Sequence, residues 1–173
     1  MKRFFTSDMH LHHENIIRYS DRPFKNAEEM NEEIIRRFNE RVKSEDIVYD
    51  LGDRLFKGKD KNILNRLNGK IIHICGNHDG NNSVSSDIQK CYLYIGNEKI
   101  CLVHNPEYAD PECKINLVGH VHKSWKIRRL GYNSIMLNVG VDQWNYYPIT
   151  LEEAFNYISN WKKSTDQQYR LKM

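Results

Sequence analysis

The stretch KIIHICGNHDG, residues 70–80, decides how this chain is to be read. KIIHIC carries isoleucines at 71, 72 and 74 and reads as a buried strand, with Asn68-Gly69 turning the chain into it. An amide, an imidazole and a carboxylate then follow in a row: Asn77, His78 and Asp79. Gly76 and Gly80 account for a turn. They do not account for three polar side chains at the end of an apolar strand.

The same arrangement recurs along the chain. RFFTS (3–7) is a short buried strand followed by Asp8-Met9-His10. In EDIVYDLGD a strand over 46–51 runs into Gly52-Asp53. ICLV precedes His104, and INLVG (115–119) precedes His120-Val121-His122. Each polar cluster stands at the C-terminal end of an apolar run. In open α/β sheets those ends form the binding crevice. Segments as distant as residues 8 and 122 thus deliver their polar tips to one rim.

The rest of the chain supplies the scaffold. A helical turn or two fits 12–18. Residues 26–42 predict an amphipathic helix, with Ala27, Met30, Ile34, Ile35 and Phe38 on one face. Asn26 is its N-cap, and Glu28 and Glu29 lie in the first turn. A second helix is expected over 60–67. Runs at 91–95 and 99–103 flank Gly96-Asn97 as a hairpin, and SWKIRR and NSIMLNV form another. LEEAFNYISNW (151–161) is the last helix. The order β-α-β-α-β followed by hairpins gives an α/β fold of stacked mixed sheets with helices outside. The continuous apolar runs IVYDLG and IIHIC fit a sheet covered on both faces. No repeat or linker divides the chain, so one domain is expected over 1–173, its core about 2–161 and a polar, frayed tail over 162–173.

Composition bounds the function. A length of 173 residues suffices for one domain with a core, and 39% hydrophobic with 28% charged residues exclude a disordered chain. No apolar run reaches the roughly 20 residues of a spanning helix. The apolar patch of MKRFFTSDMH is too short for a signal peptide, so a cytoplasmic protein with no membrane association is expected. Cys75, Cys91, Cys101 and Cys113 form no CxxC pair, which argues against a zinc knuckle or a redox motif. A net charge of +3 does not by itself indicate nucleic acid.

Two aspartates, an asparagine and four or five histidines mix hard oxygen with borderline nitrogen and no thiolate. Such a set suits Mn²⁺, Fe, Zn²⁺ or Ni²⁺, and it holds donors for two ions. Two dications about 3.5–4 Å apart need a shared anion. Asp53, central in the set, is the bridging candidate. Extended DxH and HxH segments would place both side chains on one face.

DMH, GD, GNHD, a lone histidine and GHVH, in this order over about residues 4–141, resemble the calcineurin-like metallophosphoesterase superfamily. NIIRYSDRPF and NVGVDQWNYYPITLEEA further resemble its small bacterial and phage branch. The resemblance implies a four-layer α/β/β/α sandwich of two mixed sheets flanked by helices. It implies a phosphoester hydrolase with two divalent ions, Mn²⁺ placed first. Asp8, His10 and His122 would hold one ion, Asn77, His104 and His120 the other, and Asp53 would bridge. A bridging hydroxide would attack phosphorus in line, and His78, not a ligand, would protonate the leaving oxygen as general acid. Asp79 would orient local backbone or tune His78. Where many family members carry an acidic residue or Asn, three positions after the bridging aspartate, this chain has Phe56, so Asp79 or Asp50 would take that place beside His78.

Further residues have two readings. Arg54 and Arg22 are candidates to hold a phosphate oxygen, against ordinary ion pairs. His12 and His13 touch substrate or open a surface helix. His73 reads as a core or sheet-face histidine and Asp50 as a strand residue meeting solvent. Lys123, Lys126, Arg128 and Arg129 read as the solvated face of a hairpin, and Trp125, Trp144, Tyr146 and Tyr147 as packing. The expected substrate is a small phosphodiester or phosphomonoester, nucleotides included. A nuclease acting on short or single-stranded nucleic acid is the alternative. A non-catalytic scaffold of the same fold is disfavoured by the full ligand set.

Overall fold

Strand β1 (Arg3–Thr6) threads the middle of the molecule with its side chains divided between two cores. The computed structural model describes residues 1–57, 59–79 and 86–170, with side chains to residue 165. Phe4 faces one way, onto Met30, Ile34 and Phe38 of helix α2 (Ala27–Arg41). Phe5 faces the other, into the layer between two sheets. This is the period-two alternation of a strand covered on both sides.

The first sheet has the order β3-β2-β1-β9. β2 (Ile47–Asp50) and β3 (Lys70–His73) lie parallel to β1, in the register Phe4–Val48–Ile71. β9 (Ile149–Thr150) lies antiparallel to β1. The second sheet joins β4 (Lys90–Ile95), β5 (Glu98–Val103), β6 (Ile115–Val118), β7 (Ile127–Arg129) and β8 (Ile135–Asn138) in the order β4-β5-β6-β8-β7. Its inner three strands are parallel and its two edges antiparallel. Phe5, Leu51 and Ile74 meet Ile100, Leu102, Leu117 and Leu137 between the sheets, with Ala154 and Ile158 of α3 (Leu151–Arg170) closing the flank. Two mixed sheets flanked by helices are thus the architecture the motifs implied. Among the described residues no helix is long and apolar enough to cross a membrane.

Three elements differ from the sequence reading. Residues Lys61–Arg66 form a 3₁₀ helix rather than an α-helix, capped by the Asp60 side chain. α3 continues through the polar tail to Arg170, with Ser164 and Thr165 hydroxyls turned back onto the Trp161 carbonyl at 2.8 and 3.0 Å. β9 is too short to leave a pattern. The α2 cap is as expected: the Asn26 side chain accepts from the Glu29 amide at 2.8 Å.

Candidate metal centre

Beyond β1 the chain stays paired to the segment after β2 but leaves the extended conformation. The amides of Asp8, His10 and Leu11 donate to the carbonyls of Gly52, Asp53 and Arg54, each at 2.9 Å. Asp8, His10 and His12 adopt φ of 60°, 50° and 64°, and Asp53 adopts 55°. Met9 and Leu11 drop into the core between them. His120 and His122 repeat the device at φ 71° and 45°. The donors therefore share a face through alternating left-handed residues, not through the extended alternation expected of DxH and HxH. Each such residue costs about 1–2 kcal/mol, and it persists only where its surroundings over-determine it.

The result is two adjoining clusters. Donor atoms of Asp8, His10 and His122 lie within 4.8 Å of one another, as do those of Asp53, His104 and His120. Asp53 faces both clusters: its Oδ2 is 3.2 Å from His104 Nε2 and 3.7 Å from His10 Nε2. Asn77 Oδ1 sits 3.0 Å from His104 Nε2 and 2.8 Å from His120 Nδ1. All seven residues picked out as metal donors are brought together. The set also fits cations on its own terms. His10 Nε2 is buried with no hydrogen-bond partner, and buried carboxylates face imidazole nitrogens without a thiolate among them.

Glycines at this site are fixed by close approach. A Cβ on Gly76 would meet Asp53 Oδ1, and one on Gly119 would meet Ser7 Oγ and lie 2.8 Å from Asp8 Oδ2. The first glycine of GNHDG thus lets the end of β3 pass against Asp53.

A supporting layer orients the donors. His104 Nδ1 donates to the Leu51 carbonyl at 2.7 Å, which turns Nε2 toward Asp53. His122 Nδ1 donates to Asp142 Oδ2 at 2.8 Å. Arg22 grips the same carboxylate through Nε at 2.9 Å and Nη2 at 3.0 Å, and it also donates to the carbonyls of Asp8 and Met9 at 2.7 and 2.9 Å. The Arg22 and Asp142 side chains are sealed from solvent. Arg22 is therefore not a phosphate ligand; its donors are spent beneath the site. Asp142 was missed in the sequence, since nothing in DQW marks it as a buried aspartate.

Behind Asp53, Asp79 Oδ2 accepts the amides of Asp53 at 2.7 Å and Gly76 at 2.8 Å, so it orients backbone. His73 lies 3.3 Å from Asp79 and 3.5 Å from Asp50. Asp50 is fully buried and accepts the Gly52 amide at 3.1 Å, so it does not meet solvent as read. Arg54 turns back toward Asp50, 3.7 Å away, and does not line the cavity beside the donors.

His78 has a side chain 64% exposed, its Nε2 4.0 Å from Asp53 Oδ2, and its amide donates to Asp53 Oδ1 at 2.9 Å. It lines an open cavity of about 830 Å³ with His10, His13, Tyr19, His120 and His122. Phe56 stacks on His13, ring centroids 4.1 Å apart and 9° from parallel, and so braces His13. Of the basic hairpin residues, Lys123, Arg128 and Arg129 are exposed as expected. Lys126 is instead half-buried, 3.6 Å above the Trp144 ring.

Electrostatics follow burial and partners. Burial raises Asp8 and lowers His10 well below its usual value, with Arg22 adding to the second effect. Burial lowers His120, helped by His104. Burial also opposes the charge on His104, but the Asp53 and Asp8 carboxylates together outweigh it and hold His104 at about 9. His122 is likewise raised against burial by Asp142. A cation held by His104 would displace a proton from its imidazole.

Two mixed sheets flanked by helices, with carboxylate and imidazole donors gathered at the strand ends, are consistent with the metallophosphoesterase fold and define a candidate divalent-metal protein. The chain belongs to the family of the uncharacterized protein MJ1445 of Methanocaldococcus jannaschii: the two are 35% identical over 172 residues, covering 93% of each. A solved structure, the protein of unknown function AQ665 from Aquifex aeolicus, matches with a TM-score of 0.70 and 27% identity over 90% of this chain and 98% of that one. A more remote likeness, TM-score 0.47 and 16% identity over 87% of this chain and 82% of that one, is to Yfce, a phosphoesterase from E. coli. No protein-family model matches the chain.

Proposed function

We propose that this chain hydrolyses small phosphoesters, diesters or monoesters, with the help of two divalent cations. The observation that supports this best is the position of Asp53. One buried carboxylate faces two donor clusters at once, which is what a shared ligand between two cations requires. Asp8, His10 and His122 would hold one cation, Asn77, His104 and His120 the other. When bound, such a pair supplies hydroxide near neutral pH and neutralises charge on the phosphoryl oxygens.

The chain's own residues do the rest. Leu51 and Asp142 fix the histidine rings so that the donor nitrogens face inward. Asp79 holds the Asp53 and Gly76 amides and so sets the angle of the central carboxylate. His78, anchored by its backbone to Asp53 and open to the cavity, gives a proton to the departing oxygen. His13, braced by Phe56, forms the wall along which the leaving group lies.

The test is turnover of bis-p-nitrophenyl phosphate, p-nitrophenyl phosphate and a dialkyl and a monoalkyl phosphate by Mn²⁺-loaded protein, with His78→Ala beside it. We expect wild type to turn over at least one of these esters. The variant keeps both metal equivalents and loses about a hundredfold in kcat on esters with alkyl leaving groups. The loss is smaller for p-nitrophenolate, which departs without a proton. No turnover on any of these esters with two metals bound would return the chain to the scaffold reading. An empty His78→Ala variant would make His78 a ligand.

A further inference from the structure

The donor clusters stand between two cavities, and the chemistry above uses only one. The first, about 830 Å³, contains His78, His13 and Tyr19. The second, about 510 Å³, is lined by Asn77 and His104 of the same centre and by none of the residues that line the first. Val103 and Cys75 give it an apolar base, Lys90 and Asn105 stand at its sides, and Tyr108 completes it.

Tyr108 is built to a fixed place. It ends a 3₁₀ turn, Pro106–Tyr108, that starts two residues after His104. Asn105 caps that turn, its side chain accepting from the Glu107 amide at 3.0 Å. The Tyr108 amide donates to the Asn105 carbonyl at 3.0 Å. A proline-led, capped turn of this length has little backbone freedom, so the Cα of Tyr108 has a set place relative to His104. Yet the residue is 64% exposed, and its ring makes no aromatic or cation contact among the described residues. The ring is thus open to a ligand entering the second cavity.

We infer that the second cavity is a subsite for the ester arm that stays on phosphorus, so that the preferred substrate is a phosphodiester whose retained arm carries a flat aromatic or heteroaromatic group stacking on Tyr108. This rests on the hydrolase reading and deepens it. A tetrahedral phosphodiester sends its two arms in different directions, whereas a monoester would fill only one cavity. His78 lies in the first cavity, so the arm lying there receives the proton and leaves as the alcohol. The P–O bond to that arm breaks and a bond from a water oxygen to phosphorus forms. One proton of the water balances the one given to the alcohol. The second arm remains as a phosphomonoester.

The test uses full-length protein with both metals bound, as wild type, Tyr108→Ala and Tyr108→Phe. Calorimetric titration with diphenyl phosphate should show about a tenfold loss of affinity in Tyr108→Ala and near wild-type affinity in Tyr108→Phe. The ratio of kcat/KM for bis-p-nitrophenyl phosphate over methyl p-nitrophenyl phosphate, which leave the same group but retain different arms, should fall about tenfold in Tyr108→Ala alone. Equal affinity in wild type and Tyr108→Ala overturns the subsite. A weakened affinity with an unmoved ratio overturns its assignment to the retained arm. If neither ester is turned over while diphenyl phosphate still binds in a Tyr108-dependent way, the subsite stands and the hydrolase reading falls.

Discussion

Asp53 carries more of the site than any other residue, because its two oxygens do different work. Oδ1 accepts the His78 amide, and Oδ2 faces His10 and His104. Asp53→Asn keeps an acceptor for His78 and removes the charge between the clusters. Both cations should be lost from the variant on desalting, and metal analysis reading two full equivalents would contradict a shared carboxylate. His73 makes a second residue-scale prediction. Burial pulls its pKa down, but the Asp50 and Asp79 carboxylates outweigh burial and hold it at about 9. The folded value is above the unfolded value of about 6.5, so the stabilisation is complete below pH 6.5 and is lost as pH rises toward 9. Its size is on the order of 3 kcal/mol. Metal-free protein should lose urea resistance across that window, and His104 contributes in the same direction. The gap between wild type and His73→Gln should be wide at pH 6 and narrow at pH 9; a constant gap would remove the ion-pair explanation. These residue environments were the least legible part of the sequence. The donors declared themselves by type and position after apolar runs. Arg22 and Asp142 are about 120 positions apart, and only the fold brings the two together.

At the scale of elements, the apolar runs and turn dipeptides located nearly every strand, since a strand buried on both faces must be apolar throughout. Phe4 and Phe5, Val48 and Tyr49, and Leu117 and Val118 are such positions. What the runs hid is what happens where they stop. The left-handed residues at 8, 10, 53, 120 and 122 have no compositional mark, because strain of this kind is imposed by neighbours rather than by propensity. The junction of β3 with the GNHD turn depends on the missing Cβ atoms of Gly52 and Gly76. Gly76→Ala drives a methyl group into Asp53 Oδ1 and the backbone beside it. The expected cost is about 1–3 kcal/mol in thermal or urea unfolding, together with weakened binding of both cations. A variant with wild-type metal content would show that this approach has room to relax.

For the molecule as a whole, the division of donors between sheets matters most. Asp8, His10, Asp53 and Asn77 follow strands of the first sheet, and His104, His120 and His122 follow strands of the second. Neither cluster belongs to one sheet: Asp8 and His10 are completed by His122, and Asp53 by His104 and His120. Any cation held by either cluster therefore ties the two sheets across their common edge, where the hydrophobic layer of Phe5, Leu102 and Leu117 ends. Binding to the native state alone stabilises by about 4 kcal/mol at a thousandfold excess over Kd. In a domain of this size each kcal/mol is worth about 2–4 °C in Tm. Loading one site should then raise Tm by roughly 10 °C over chelator-treated protein. Because the tie joins both sheets, hydrogen-exchange protection should rise together in β1–β3 and in β5, β6 and β8. Protection confined to one sheet would mean that the ion is held by donors of that sheet alone, and an unchanged Tm would mean that the clusters hold no ion in the native state.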